Sequence, residues 1–187
     1  MSEVIVLHAP LDGSFDAERA AFLLARLPYA RRLELERRDA AARAASLRAL
    51  ELLMAGVERL RGAIPDMSLL RYPQDAKPSI EGGPRFSVSH SAAYVAVAIS
   101  DACQLGIDVE DVPSGTDEQP LARWTAIEAT LKAAGSGLRR AQDVHVAPDL
   151  SRALLDGREF LLQRAELAPH CVAHVATEGR ARLLVQP

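Results

Sequence analysis

Cysteine is nearly absent from this chain. The 187 residues hold two, Cys103 and Cys171. That excludes a disulfide framework, and no CxxC or paired Cys/His spacing marks a zinc site. Reduced thiols in a cytoplasmic protein are the expectation. Aromatics are equally scarce, at 4%, too few for the stacking platforms of a single-strand nucleic-acid binder. An excess of positive charge is also missing. The net charge is -3, so no broad field draws nucleic acid. No apolar run approaches the roughly 20 residues that span a bilayer. Residues 1–10 lack the basic start and long apolar stretch of a signal peptide. What is present is 49% hydrophobic and 25% charged residues, enough for one compact unit or two small subdomains with a real core.

Along the chain, residues 4–7 read as a short strand ending at Pro10. Residues 16–27 read as a helix, with Ser14 or Asp16 as N-cap and Pro28 as breaker. Residues 30–62 hold one or two long helices. Leu33, Leu47, Leu50, Leu53, Met54, Val57 and Leu60 recur there at helical spacing, and eight arginines face five acids. Most of those arginines are expected to form a solvated face. Gly62 ends the run, and residues 63–85 read as loop. Strands follow at 86–89, 94–99 and 104–110. Residues 111–123 read as a linker or mobile loop, and residues 124–134 as a helix stopped by Gly135. Strand candidates at 144–146, 159–162, 171–175 and 181–185 complete the chain. The order predicts an α+β fold of two halves, residues 1–102 and 103–187.

The richest chemistry lies in Gly106-Ile107-Asp108-Val109-Glu110. Strand residues alternate faces, so Asp108 and Glu110 share one face and Ile107 and Val109 the other. Two adjacent carboxylates repel and raise each other's pKa, a cost that a hard divalent cation relieves. The plainer alternative is a half-buried strand with an acidic solvent face. Trp124, Glu128 and Lys132 are spaced four apart and share one helix face. Glu128 and Lys132 suit an ordinary surface ion pair. Equally, Glu128 beside Asp108 and Glu110 would complete an oxygen cage for Mg²⁺, with Lys132 in reach of a phosphate. His90, at a strand end between Ser89 and Ser91, suits either a structural role or a phosphate contact. Lys77, before Pro78, is a surface lysine or a cation positioned for an anionic ligand.

Taken in order, Lys77-Pro78, Phe86-Ser87-Val88-Ser89-His90-Ser91, the Gly106–Glu110 stretch and Trp124-Thr125-Ala126-Ile127-Glu128-Ala129-Thr130-Leu131-Lys132 resemble the signature of the 4'-phosphopantetheinyl transferases. The likeness is to the larger, surfactin-synthetase-activating type, because the Asp motif lies mid-chain. The resemblance implies two similar α/β halves related by a pseudo-twofold, so that a monomer suffices. It implies Mg²⁺ held by Asp108, Glu110 and Glu128, with coenzyme A as co-substrate contacted by Lys77, Ser89, His90 and Arg48. Glu128 would be the base, and Lys132 would neutralise the pyrophosphate. The acceptor would be a serine of an apo acyl or peptidyl carrier protein. Two departures stand out. Ile127 occupies a position where the family usually has lysine, and the segment 111–123 is shorter than usual. They motivate an alternative: a degenerate member that binds coenzyme A or a partner protein without transfer. A metal-dependent phosphohydrolase would use the same ligands.

Overall fold

The computed structural model of the chain describes residues 2–12, 15–73 and 77–187. The candidate cap Ser14 lies outside them. β1 (Ser2–Pro10) leads into three helices, α1 (Ala17–Leu24), α2 (Tyr29–Glu36) and α3 (Ala40–Arg61). Asp16 and Asp39 cap α1 and α3 by accepting the backbone N–H groups of Arg19 and Ala42, each satisfying a donor the helix cannot. Gly62 closes α3 at φ 73°, where a side chain would be strained.

The stretch read as loop at 63–85 carries a small hairpin, β2 (Leu70–Arg71) with β3 (Ser79–Ile80). β4 (Arg85–His90), β5 (Tyr94–Ser100) and β6 (Leu105–Asp111) match the expected strands. α4 spans Gln119–Ala134, five residues earlier than the sequence suggested. Pro120 sits in its first turn, where its missing N–H costs nothing, so the end of the expected linker 111–123 is the start of the helix. Then come β7 (His145–Val146), β8 (Arg152–Leu155), β9 (Arg158–Arg164), β10 (Cys171–Thr177) and β11 (Ala181–Gln186). β8, unforeseen, pairs with β9 around Asp156-Gly157.

The strands form one sheet in the order β11-β1-β5-β4 and another in the order β6-β10-β9-β8-β7. β1 pairs with β5, with β4 beyond it, and β6 pairs with β10, with β9 beyond it. β11, the last strand, joins the first sheet by pairing in parallel with β1. Three apolar layers result. α3 covers one face of the first sheet through Leu47, Leu50, Leu53 and Val57. Val4, Val6, Ala96 and Ala98 meet Ile107, Val109, Ala173 and Val175 between the sheets. α4 covers the far face of the second sheet through Ala126 and Ala129 against Phe160, Leu162 and Ala176.

Where the sheets meet, Ser87 and Ser89 replace a backbone ladder. Their hydroxyls accept the N–H groups of Ile107 at 3.1 Å and Val109 at 3.3 Å. Two otherwise orphaned donors of an edge strand are thereby satisfied inside the protein. No helix among the described residues is long and apolar enough to cross a membrane.

Candidate metal centre

β6 is buried on both faces as far as Val109, and Asp108 is only 2% exposed. The solvated acidic face admitted by the sequence is therefore not what forms. Ile107 and Val109 enter the layer between the sheets, which turns Gly106, Asp108 and Glu110 toward α4. α4 lies directly against Gly106. A Cβ there would fall 2.1 Å from Ala129 O and 2.4 Å from Ala133 N. The glycine thus lets the helix backbone approach the strand, bringing a helix side chain within reach of strand carboxylates.

Glu128 is that side chain. One carboxylate oxygen from each of Asp108, Glu110 and Glu128 lies within 4.8 Å of the others. Lys132, one turn on, donates to Asp108 Oδ1 at 2.5 Å and to Ser89 Oγ at 3.0 Å, and lies 3.8 Å from Glu128 Oε2. Ser89 Oγ donates to the same Asp108 oxygen at 2.7 Å. Asp108 Oδ2 is buried without a hydrogen-bond partner among the described residues. A buried acceptor left unpaired costs on the order of 1–3 kcal/mol, a cost that a bound cation would relieve.

The electrostatics agree. Burial and then the charge of Asp108 hold the carboxyls of both Glu110 and Glu128 above the ordinary range. Lys132 opposes this without cancelling it. The three carboxylates, one orphaned oxygen and no sulfur or imidazole donor fit a hard divalent cation of the Mg²⁺ kind.

A consequence for stability follows. Between the ordinary glutamate pKa and the raised folded values, the folded state binds more protons than the unfolded one. These groups therefore stabilise fully at low pH and lose that contribution as pH rises through the folded values. A cation binding the ionised carboxylates offsets the loss. Mg²⁺ at about 100 times its Kd is expected to add about 2.7 kcal/mol, or roughly 5–11 °C in Tm for a chain of this size. The gain should be larger at pH 8 than at pH 5, where protons compete. Calorimetric melting with and without Mg²⁺ at both pH values checks this; equal Tm throughout would remove the metal site.

The chain is similar to the 4'-phosphopantetheinyl transferase HetI of Nostoc sp. (strain PCC 7120 / SAG 25.82 / UTEX 2576). The two are 27% identical, and the match covers 63% of this chain and 64% of that relative's length. No family model matches the chain.

The other residues singled out from sequence fall around this centre. Ser89 is buried at it and holds Asp108, so its hydroxyl orients a carboxylate instead of facing open space. His90, the next residue, is exposed and lines a cavity of about 310 Å³ together with Arg48, Phe15 and Leu11. Arg48 is paired to Glu51 at 2.6 Å and lies over the Phe15 ring. On the other side, Lys77, Phe86, Lys132 and Arg139 line a cleft of about 820 Å³. Lys77 Nζ donates to Leu105 O. Burial, with Arg85 and Lys132 nearby, lowers its pKa to about 8. β4 thus passes from the larger cleft at residues 86–88, past the carboxylates at Ser89, to the smaller cavity at His90.

Two residues at the centre went unremarked in the sequence. His174 and Thr125 are 2% and 0% exposed, with Nδ1 2.7 Å from Oγ1. Thr125 Oγ1 also donates to Ala122 O at 3.0 Å. A hydroxyl has one proton, so Nδ1 is the donor in the His–Thr bond. Burial, then Arg164, lowers the His174 pKa to about 4, and the ring is neutral at pH 7. The available signal was a lone histidine within an apolar strand, CVAHVAT.

Proposed function

We propose that this protein is a Mg²⁺-dependent 4'-phosphopantetheinyl transferase of the larger, pseudodimeric class. It would move the 4'-phosphopantetheine arm of coenzyme A to a serine of an apo acyl or peptidyl carrier protein in the cytoplasm. The observation that carries the proposal is the convergence of Asp108, Glu110 and Glu128 from a strand and the next helix, with Lys132 on Asp108. The shared connectivity of the two sheets supports two halves related by a pseudo-twofold within one chain, so one copy suffices. The similarity to HetI supports the same activity.

Asp108, Glu110 and Glu128 would hold the Mg²⁺, which when bound supplies positive charge to the pyrophosphate oxygens. Keeping the pantetheine arm intact requires the serine oxygen to attack the phosphorus that bears it. The new P–O bond forms to serine as the bond to adenosine 3',5'-bisphosphate breaks. Glu128, on the helix beside the strand carboxylates, would take the serine proton. Lys132 sits between Asp108 and the larger cleft, placed to neutralise the leaving phosphate. Lys77 and His90 on either side of the carboxylates, and Arg48 in the smaller cavity, would anchor the phosphates and nucleotide. Positioning and fixed charge carry most of such a phosphoryl transfer.

The experiment is direct. Purified protein, coenzyme A, Mg²⁺ and apo carriers from fatty acid, polyketide and peptide synthesis are expected to yield a carrier heavier by one phosphopantetheine. No mass shift across the panel would refute transfer. A second reading is favoured by one observation. Only residues 112–118 separate β6 from α4, and Ile127 packs into the layer under α4 where a family lysine would add a cation. Coenzyme A binding by calorimetry with no carrier modified would establish that reading, a binding protein without turnover.

A further inference from the structure

α4 rests on a row of three polar side chains, of which only Asp108 belongs to the proposed metal centre. Arg164 on β9, His174 on β10 and Asp108 on β6 are direct cross-strand partners in successive pairings. They therefore lie side by side on one face of the sheet, the face that α4 covers. The helix segment meets this row three times at seven-residue intervals. Glu118, its N-cap, bonds Arg164 at 2.7 and 3.2 Å. Thr125 bonds His174 at 2.7 Å. Lys132 bonds Asp108 at 2.5 Å. Seven residues are two helical turns, so the three form one stripe.

Apolar packing of Ala126, Ala129 and Leu131 with Phe160, Leu162 and Ala176 seats α4 on the sheet. Such packing is non-directional, and hydrogen bonds add direction to it. Arg164–Glu118 is about 40% exposed on both sides and contributes little. Lys132–Asp108 lies at the centre itself. The His174–Thr125 bond is buried within the layer under α4, and Thr125 stands three residues before Glu128.

We propose that His174 is a positioning residue: by holding Thr125 it fixes α4 on β10 and sets Glu128 against Asp108 and Glu110 for cation binding. The inference rests on the metal-centre reading above and extends it to a residue that touches neither cation nor substrate.

The test is the affinity of the full chain for Mn²⁺, an all-oxygen-site cation visible by electron paramagnetic resonance, with melting recorded in parallel. His174→Leu and Thr125→Val are expected to weaken Mn²⁺ binding by about tenfold, the lower end for groups that orient ligands. His174→Gln and Thr125→Ser, which keep a hydrogen bond, are expected to restore most of it. Thr125→Val is nearly isosteric and decides the matter if His174→Leu does not fold. Unchanged affinity in folded Leu and Val variants overturns the proposal, as does a loss that Gln and Ser fail to repair. A wild-type protein with no Mn²⁺ site sensitive to Glu128→Gln overturns the metal-centre reading itself, and this inference with it.

Discussion

Asp108→Asn is expected to stop carrier modification while leaving the protein folded. The amide keeps the shape of the side chain, and its oxygen still accepts the Ser89 hydroxyl now bonded at 2.7 Å. What disappears is the charge. Asp108 is the most buried of the three carboxylates, and its free oxygen has no hydrogen-bond partner among the described residues, so the site loses its innermost anionic ligand. Removing one preorganised electrostatic group from an active site costs on the order of 10²–10³ in rate. A metal ligand belongs at or beyond the upper end. Lys132 also loses its counter-charge, and with it the contact that holds it at the carboxylates. The apo protein should barely notice. The Asp108 charge is one cause of the raised pKa values of Glu110 and Glu128, and its removal relieves them. The measurements are the time course of the carrier mass shift and the Mg²⁺-induced change in Tm. A variant that retains both would show that the three carboxylates are an incidental acidic cluster.

Gly106→Ala is expected to be strongly destabilising. The added Cβ meets Ala129 O at 2.1 Å, Ala133 N at 2.4 Å and Lys132 C at 2.9 Å. All three are helix backbone, which cannot rotate aside as a side chain can. α4 must retreat as a body, thinning its contacts with Phe160, Leu162 and Ala176. Overpacking of this kind costs about 3 kcal/mol or more, equivalent to a fall of roughly 6–12 °C in Tm. Gly56→Ala is the internal comparison. Its Cβ also falls 2.1 Å from a neighbour, but that neighbour is Ile99 Cδ1, the mobile end of a side chain. A different Ile99 rotamer relieves it for about 1 kcal/mol. Melting both variants separates the two situations. A Gly106→Ala protein that melts with the parent would mean that α4 does not rest on β6 as described. Because the same retreat carries Glu128 away from Asp108, Gly106→Ala should also weaken Mg²⁺ binding, which Gly56→Ala should leave unchanged.

Much of the centre was legible because it obeys two short periodicities. Alternation along β6 put Asp108 and Glu110 on one side, and four-residue spacing put Glu128 and Lys132 on one helix face. The helix start was misplaced because Gln119 and Pro120 carry no apolar signal, although proline is favoured in a first turn. β8 is four residues long and emerges only through its pairing with β9. The family resemblance names Ser89 as a coenzyme A contact. Its bond to Asp108 joins residues nineteen apart, beyond any local pattern.

The residues alone determined the secondary structure of the middle of the chain, the grouping of carboxylates within each element, and the glycine in Gly106–Glu110. These follow from local stereochemistry, which needs no knowledge of distant neighbours. Only the tertiary structure decided that β6 is buried on both faces, that Gly106 is where α4 touches the sheet, and that Arg164, His174 and Asp108 form a row beneath it. Those facts depend on which strands become neighbours. Strand pairing joins residues far apart in sequence through backbone bonds that any side chain can accompany, so the order of residues leaves it open.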